Sequence, residues 1–314
     1  MGFSSEVREE LSEQNVKSLH CRIAMLAGII TLDAKMKREE QGRVLAIRME
    51  QDVLVKCVKK LLEQIFGFRE EDYTVIPRSS TGARLRIEDS ERIDRVLQTL
   101  KLRIQDDRLD VDDIVFTRSC CRGSFLKGAY LAAGSVSNPE SAYQLEIVTG
   151  RESVTGQLVR ILAGFGLTGH TILRRGNLLV YLKGAGDISE LLGIMGAGNA
   201  MMELENVRIL KEIRNTVNRE VNCDTANITK ITVAASRDAE QIRKVEETIG
   251  LSSLPPELQE TARLRMEQPE LSLSELGERL VPPLGKSGVN HRLRKIRKIA
   301  ADPDSYRGVL KKRG

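Results

Sequence analysis

SLSELGERLVPPLGKSGVNHRLRKIRKI, residues 272–299, is the run on which the reading of the C-terminal region turns. Ser272 and Glu275 stand at capping-box spacing, so a short helix is expected to begin there and end near Leu280. Val281-Pro282-Pro283-Leu284-Gly285 cannot continue a helix and must turn the chain. A further helix is predicted from about Ser287, with Val289, Leu293, Ile296 and Ala300 along one face. A capped short helix, a tight turn and a basic helix with an apolar seam describe a helix-turn-helix, whose second element enters the major groove of duplex DNA.

That geometry assigns Lys286, Ser287, Asn290 and His291 to base edges and Arg292, Arg294, Lys295, Arg297 and Lys298 to phosphates. The competing reading is a solvated basic helix docked on its own domain. Box, turn and seam together favour DNA. No second histidine lies near His291 in sequence, so no metal site is expected there.

Charge supports the same end of the molecule. The chain carries +5 overall, yet residues 286–313 alone hold ten bases against two acids, a local +8, so the remainder sums to −3. A terminal module facing phosphates leaves that footprint.

Working back along the chain, Pro255-Pro256-Glu257 reads as a helix start whose helix stops before Gln268-Pro269. The expected module is therefore 250–301, with a basic tail at 302–314. Residues 199–249 read as a polar helical connector with a thin apolar stripe of Leu204, Val207, Leu210, Ile213, Val217 and Val221.

Residues 1–198 read as two copies of one pattern, α-β-β-α-β-β-α, in halves of about 17–104 and 117–198. In the first, 17–28 look helical, IITLDAKM and RVLAIRME look like strands, and 52–66 carry one apolar helical face. YTVIPRS and ARLRIE form a hairpin around Ser80-Thr81-Gly82, and a helix at 90–100 closes the half. In the second, a helix from Ser119 to Gly134 leads to a strand near Ser135, then AYQLEIV and a helix at 151–165. A hairpin of HTILRR and NLLVYLK turned at Gly176-Asn177 follows, and a helix at 187–196 ends the half. A long period occurring twice implies a pseudo-dimer whose halves bury their faces on each other. The fold class expected is α+β, a pseudo-symmetric domain joined to an all-α helix-turn-helix.

Composition narrows the function. Aromatics are 4% of residues and tryptophan is absent, which leaves few rings for stacking single-stranded bases. No apolar run is long enough to span a membrane, and the acidic start MGFSSEVREELSEQN is unlike a signal peptide, so a cytoplasmic protein with no membrane partner is expected, nucleoid-associated through the DNA-binding module. Cys21, Cys57, Cys120, Cys121 and Cys223 show no metal-ligand spacing and read as reduced thiols in or near the core, with no metal and no cofactor expected. The glycine-rich stretches at 184–186 and 193–198 match no phosphate-binding fingerprint.

Leu26-Ala27-Gly28-Ile29-Ile30-Thr31-Leu32-Asp33-Ala34 resembles the LAGLIDADG motif of homing endonucleases, and Leu126-Lys127-Gly128-Ala129-Tyr130-Leu131-Ala132-Ala133-Gly134 resembles a second copy. The resemblance implies that the motif helices pack through small residues and that the eighth position ligates the divalent metals that cut DNA. Here that position is Asp33 in one half and Ala133 in the other. Loss of one central carboxylate implies a retired nuclease in which Asp33 is an ordinary polar residue at a helix end. The alternative is an active endonuclease using Asp33 with an unrecognised acid.

Across its length, GSFLKGAYLAAGSVSNPESAYQLEI together with residues 272–299 resembles the WhiA family, which joins a degenerate LAGLIDADG domain to a helix-turn-helix. The first motif keeps more of the nuclease consensus, Asp33 included, than that family leads one to expect. The resemblance implies a non-catalytic, sequence-specific regulator of double-stranded DNA. Such a protein governs sporulation genes in some Gram-positive lineages, and cell division and chromosome segregation in others. Arg48, Arg78, Arg84, Arg86, Arg174, Arg175 and Lys183 on the first domain's sheets are secondary DNA candidates. The residues neither favour nor oppose a protein co-regulator docking on that domain.

Overall fold

A computed structural model describes residues 2–40, 42–78 and 81–306, and its chain gathers into two compact units, Met1–Glu212 and Ile213–Gly314. The first half of unit one runs α2 (Leu19–Asp33), β1 (Ala34–Glu39), β2 (Gly42–Met49), α3 (Asp52–Phe66), β3 (Thr74–Pro77), β4 (Ala83–Ile87) and α4 (Ser90–Thr99), after a leading helix α1 (Phe3–Glu13). The second half repeats it. Its elements are α5 (Ser119–Ala133), β7 (Gly134–Val136), β8 (Gln144–Val148), α6 (Glu152–Ala163), β9 (His170–Arg174), β10 (Asn177–Lys183) and α7 (Ala185–Met195).

The two four-stranded antiparallel sheets share one strand order, β1-β2-β4-β3 and β7-β8-β10-β9. Their registers correspond as well: Ile47 lies opposite Ala34 and Leu85, and Ile147 opposite Gly134 and Val180. The repeat expected of the sequence is thus present as α+β pseudo-symmetry. A hairpin of β5 (Leu102–Gln105) and β6 (Arg108–Val111) links the halves. Neither that hairpin nor α1 was signalled by the repeat, because both lie outside it.

At the centre α2 packs on α5 with almost no side chain between them. A Cβ on Gly28 would stand 2.5 Å from the Phe125 carbonyl oxygen, and one on Gly128 would stand 2.0 Å from that of Met25. Only glycine allows this approach from both sides.

Three local expectations are corrected. IITLDAKM is not a strand throughout, since α2 continues to Asp33 and the strand begins at Ala34. Ile29, Ile30 and Thr31 favour a strand locally, but all three are buried against neighbours, and helix packing outweighs a propensity deficit of a few tenths of a kcal/mol per residue, roughly. The second hairpin turns at Arg175-Gly176, the residues with positive φ (51° and 78°), while Asn177 already pairs with Arg174. The cysteines divide: Cys21, Cys57 and Cys121 are buried, whereas Cys120 and Cys223 are exposed. The predicted turn residue Ser80, and Arg307, Lys311, Lys312 and Arg313 of the predicted tail, lie outside the described residues.

Residues 198–249 form one helix, α8 (Gly198–Ile249). Leu204 is buried in the first core, but Leu210, Ile213, Val217 and Val221 are each about half exposed, so the expected stripe does not act as a seam along this stretch. Further on, Ile242 and Val245 enter a second core. α9 (Pro256–Glu267), α10 (Leu273–Glu278) and α11 (Lys286–Ala301) follow in that unit. No helix among the described residues is long and apolar enough to cross a membrane.

Candidate nucleic-acid interface

The predicted capping box is formed at α10. The Ser272 hydroxyl accepts from the Glu275 amide at 3.3 Å, and the Glu275 carboxylate accepts from the Ser272 amide at 2.8 Å. The chain then folds back so tightly that the Leu284 amide donates to the Gly277 carbonyl at 2.9 Å. A Cβ on Gly277 would lie 1.9 Å from the Leu284 oxygen, so the turn requires glycine there. Val289, Leu293, Ile296 and Ala300 of α11 are buried with Leu258, Ala262, Leu276 and Leu280 of the preceding elements. The seam read from the sequence is the one that packs.

With the seam buried, the other side of α11 is presented outward. Lys286, Ser287, His291, Arg294, Lys295 and Lys298 are exposed. Ser287, His291, Arg294 and Lys298 follow steps of four, three and four residues and so share one helical face.

The remaining three residues are engaged within the module. Arg292 donates to the Glu257 carbonyl and the Thr261 hydroxyl, both at 3.2 Å, and pairs with Glu260 at 3.8 Å. Arg297 donates to the Asn290 carboxamide oxygen at 3.3 Å and stands 3.6 Å from Asp238 of α8. Asn290 itself borders a 420 Å³ cavity shared with Thr229, Arg237, Asp238 and Leu293. Arg292, Arg297 and Asn290 therefore brace the module, unlike the six residues on the open face.

Sequence reasoning missed the group behind that bracing. Arg265 is 1% exposed, donates to the Leu271 carbonyl at 2.6 Å, and lies 3.6 Å from Asp238. One carboxylate on α8 thus sits between guanidinium groups from α9 and α11. Nothing in the spacing of residues 238, 265 and 297 signals it.

A second basic surface lies on the first sheet. Lys35 and Lys37 of β1, Arg48 of β2, Arg84 of β4, Arg78 and Arg108 line a 260 Å³ cavity together with Asp33. Lys35, Lys37 and Arg108 were missed by the sequence reading; the alternation of AKMKRE shows the first two once the strand is known to start at Ala34. Among the cavity's cations, Lys35 pairs with Asp107 at 2.6 Å, Arg108 with Asp107 at 3.7 Å and Arg48 with Glu50 at 3.6 Å. The sequence candidate Arg86 lies outside the cavity, held by Glu39 at 2.7 Å and Glu88 at 2.9 Å. Arg174, on the other sheet, is held by Glu146 at 2.7 Å.

Asp33 is not the surface residue expected. Its side chain is 4% exposed, its Oδ1 lies 3.8 Å from Arg48, and its Oδ2 has no hydrogen-bond partner among the described residues. Burial pushes its carboxyl up to about 7, against the pull of Arg48 and with Glu50 adding to the rise. Divalent magnesium requires several anionic or carbonyl oxygens. The cavity offers one carboxylate among six cations, and the matching Ala133 supplies no donor. The residues do not fit the nuclease metals.

The folded chain holds a proton on Asp33 that the unfolded chain has lost, so its contribution is full at low pH and is lost as pH rises towards about 7. Asp33→Asn, which cannot ionise, is expected to gain stability over the wild type by about 2–3 kcal/mol more at about pH 8 than at about pH 5. Thermal unfolding of both proteins at the two pH values tests this. A difference independent of pH would contradict it.

Geometry thus defines a class: a helix-turn-helix module on a chain whose larger unit has the paired-half LAGLIDADG architecture. Two family descriptions match, the WhiA LAGLIDADG-like domain over residues 122–214 and the WhiA C-terminal HTH domain over residues 217–300. A probable cell division protein WhiA of Thermoanaerobacter pseudethanolicus is 37% identical over 311 residues, covering 96% of this chain and 97% of its own. That of Heliobacterium modesticaldum is 38% identical over 312 residues, covering 96% of each. The crystal structure of full-length DUF199/WhiA from Thermatoga maritima matches with a TM-score of 0.59 at 25% identity, over 96% of this chain and 98% of that one. The chain belongs to the WhiA family.

Proposed function

We propose that this protein is a non-catalytic, sequence-specific DNA-binding transcriptional regulator of the bacterial nucleoid, serving cell division, chromosome segregation or sporulation. The observation that carries the reading is the division of α11, whose apolar side is locked into the helix-turn-helix core while Lys286, Ser287, His291, Arg294, Lys295 and Lys298 remain exposed. Ser287 and His291, near the start of the helix, read bases; Arg294, Lys295 and Lys298 hold phosphates. The relatives' name, probable cell division protein, supports the cellular role.

The first unit binds DNA without cutting it. Its cation-lined cavity suits a phosphate and repels the metals that hydrolysis would need. Chromatin immunoprecipitation of the intact protein is expected to recover discrete promoter sites sharing one motif, and the purified protein is expected to leave supercoiled plasmid uncut in Mg²⁺. Uniform recovery across the chromosome would overturn the specific-regulator reading. Nicking abolished by Asp33→Asn would restore the endonuclease alternative.

A further inference from the structure

The ends of α2 and α5 remote from Asp33 carry a second chemical cluster. His20 and Cys21 occupy the first turn of α2; Cys120 and Cys121, a hundred residues on, occupy the first turn of α5. The pseudo-symmetry that brings the two helices together brings these four side chains together. Their donor atoms, one imidazole nitrogen and three sulfurs, all lie within 4.8 Å of one another. The His20 Nδ1 atom is 3.2 Å from Cys21 Sγ and 3.3 Å from Cys121 Sγ.

Those dimensions suit a particular ion. Zinc bound at its usual distances to sulfur and imidazole nitrogen sets the donors of a tetrahedron about 3.5–3.8 Å apart. The cluster needs to adjust by only about an ångström to meet that geometry. Three thiolates and one imidazole form a complete structural zinc set, and no carboxylate belongs to the cluster to favour a harder cation.

The surroundings add two independent features. Cys21 and Cys121 are buried, His20 is half-buried and Cys120 is exposed, so the cluster is closed beneath and open at one side for metal entry. Neither Ser18 nor Arg118, the residues preceding the two helices, caps its helix with its side chain. The aligned dipoles at both helix starts favour negative charge, while burial and the neighbouring thiols push Cys21 and Cys121 up, Cys121 to about 11, so the ion must displace their protons on binding.

We propose that His20, Cys21, Cys120 and Cys121 bind one zinc ion that clamps the amino-terminal ends of α2 and α5. Each cysteine gives up its proton to solvent on binding, and no electron changes hands. The ion joins the two halves at the far end from the glycine contact and stabilises their pairing. The site stands apart from the DNA reading: loss of either leaves the other intact.

The test uses full-length protein purified under reducing conditions, stripped with chelator and titrated with Zn²⁺ alone. One zinc per chain is expected, with a higher melting temperature in the loaded protein. Co²⁺ in place of Zn²⁺ should produce the intense visible bands of a tetrahedral thiolate site. Cys21→Ser and Cys121→Ser should each weaken zinc binding at least about a hundredfold, while Cys223→Ser, outside the cluster, should bind as the wild type does. Should either cluster variant fail to fold, the wild-type stoichiometry and cobalt spectrum decide. A wild-type chain that takes up no zinc, cluster variants that retain it, or a disulfide among Cys21, Cys120 and Cys121 in thiol-trapped protein from reducing cells would each overturn the proposal.

Discussion

Exchange of Arg294, Lys295 and Lys298 for glutamate is expected to weaken binding of duplex DNA by on the order of a hundredfold or more without lowering the melting temperature of the protein. All three side chains are exposed on α11, and none takes part in the core beneath it. Each phosphate contact removed releases fewer counterions, so the slope of log affinity against log salt should also flatten by roughly 0.9 per contact. Fluorescence anisotropy across a salt series measures both quantities. Unchanged affinity would assign DNA to another surface, the basic cavity around Asp33 foremost. Arg292→Ala and Arg297→Ala serve as the contrast, since those two guanidiniums hold the module together. Their loss should appear in unfolding before it appears in the salt slope.

The largest effect on stability is expected at Asp238. Its carboxylate lies 3.6 Å from both Arg265 and Arg297, and Arg265 is almost wholly buried. Asp238→Ala leaves a buried guanidinium without its counter-charge, which costs about 3–5 kcal/mol. Calorimetry should show the second unit melting early, with DNA binding lost alongside it. Replacing Asp238 and Arg265 together by leucine and methionine should recover much of that loss, because the uncompensated charge goes too. A loss below about 1 kcal/mol for Asp238→Ala would show that water already solvates the group.

The helix-turn-helix was legible because every part of it is local. A capping box spans three residues, a proline pair stops a helix where it stands, and Val289, Leu293, Ile296 and Ala300 declare their face by spacing alone. The paired halves were legible for a related reason. Each strand and helix of the repeat carries its own periodicity, and the same order occurs twice.

Local signals failed where a distant neighbour decided the outcome. Ile29-Ile30-Thr31 carry a strand-like pattern, yet α5 packed alongside holds them in a helix. Asp33 resembles any carboxylate at a helix end until the first sheet buries it among cations. Arg292 and Arg297 look like their exposed neighbours on a charged helix, and only α8 and α9 reveal that they are occupied.

Amino-acid order by itself determined the two-copy architecture, the turn and the buried seam of the last helix, since backbone preference and side-chain period act within a few residues of each other. Tertiary structure decided which charges on that helix are free, how readily Asp33 ionises, and that a histidine and three cysteines meet. Such properties depend on distances between groups tens to a hundred residues apart, set by the packing of whole elements and by the water that packing excludes.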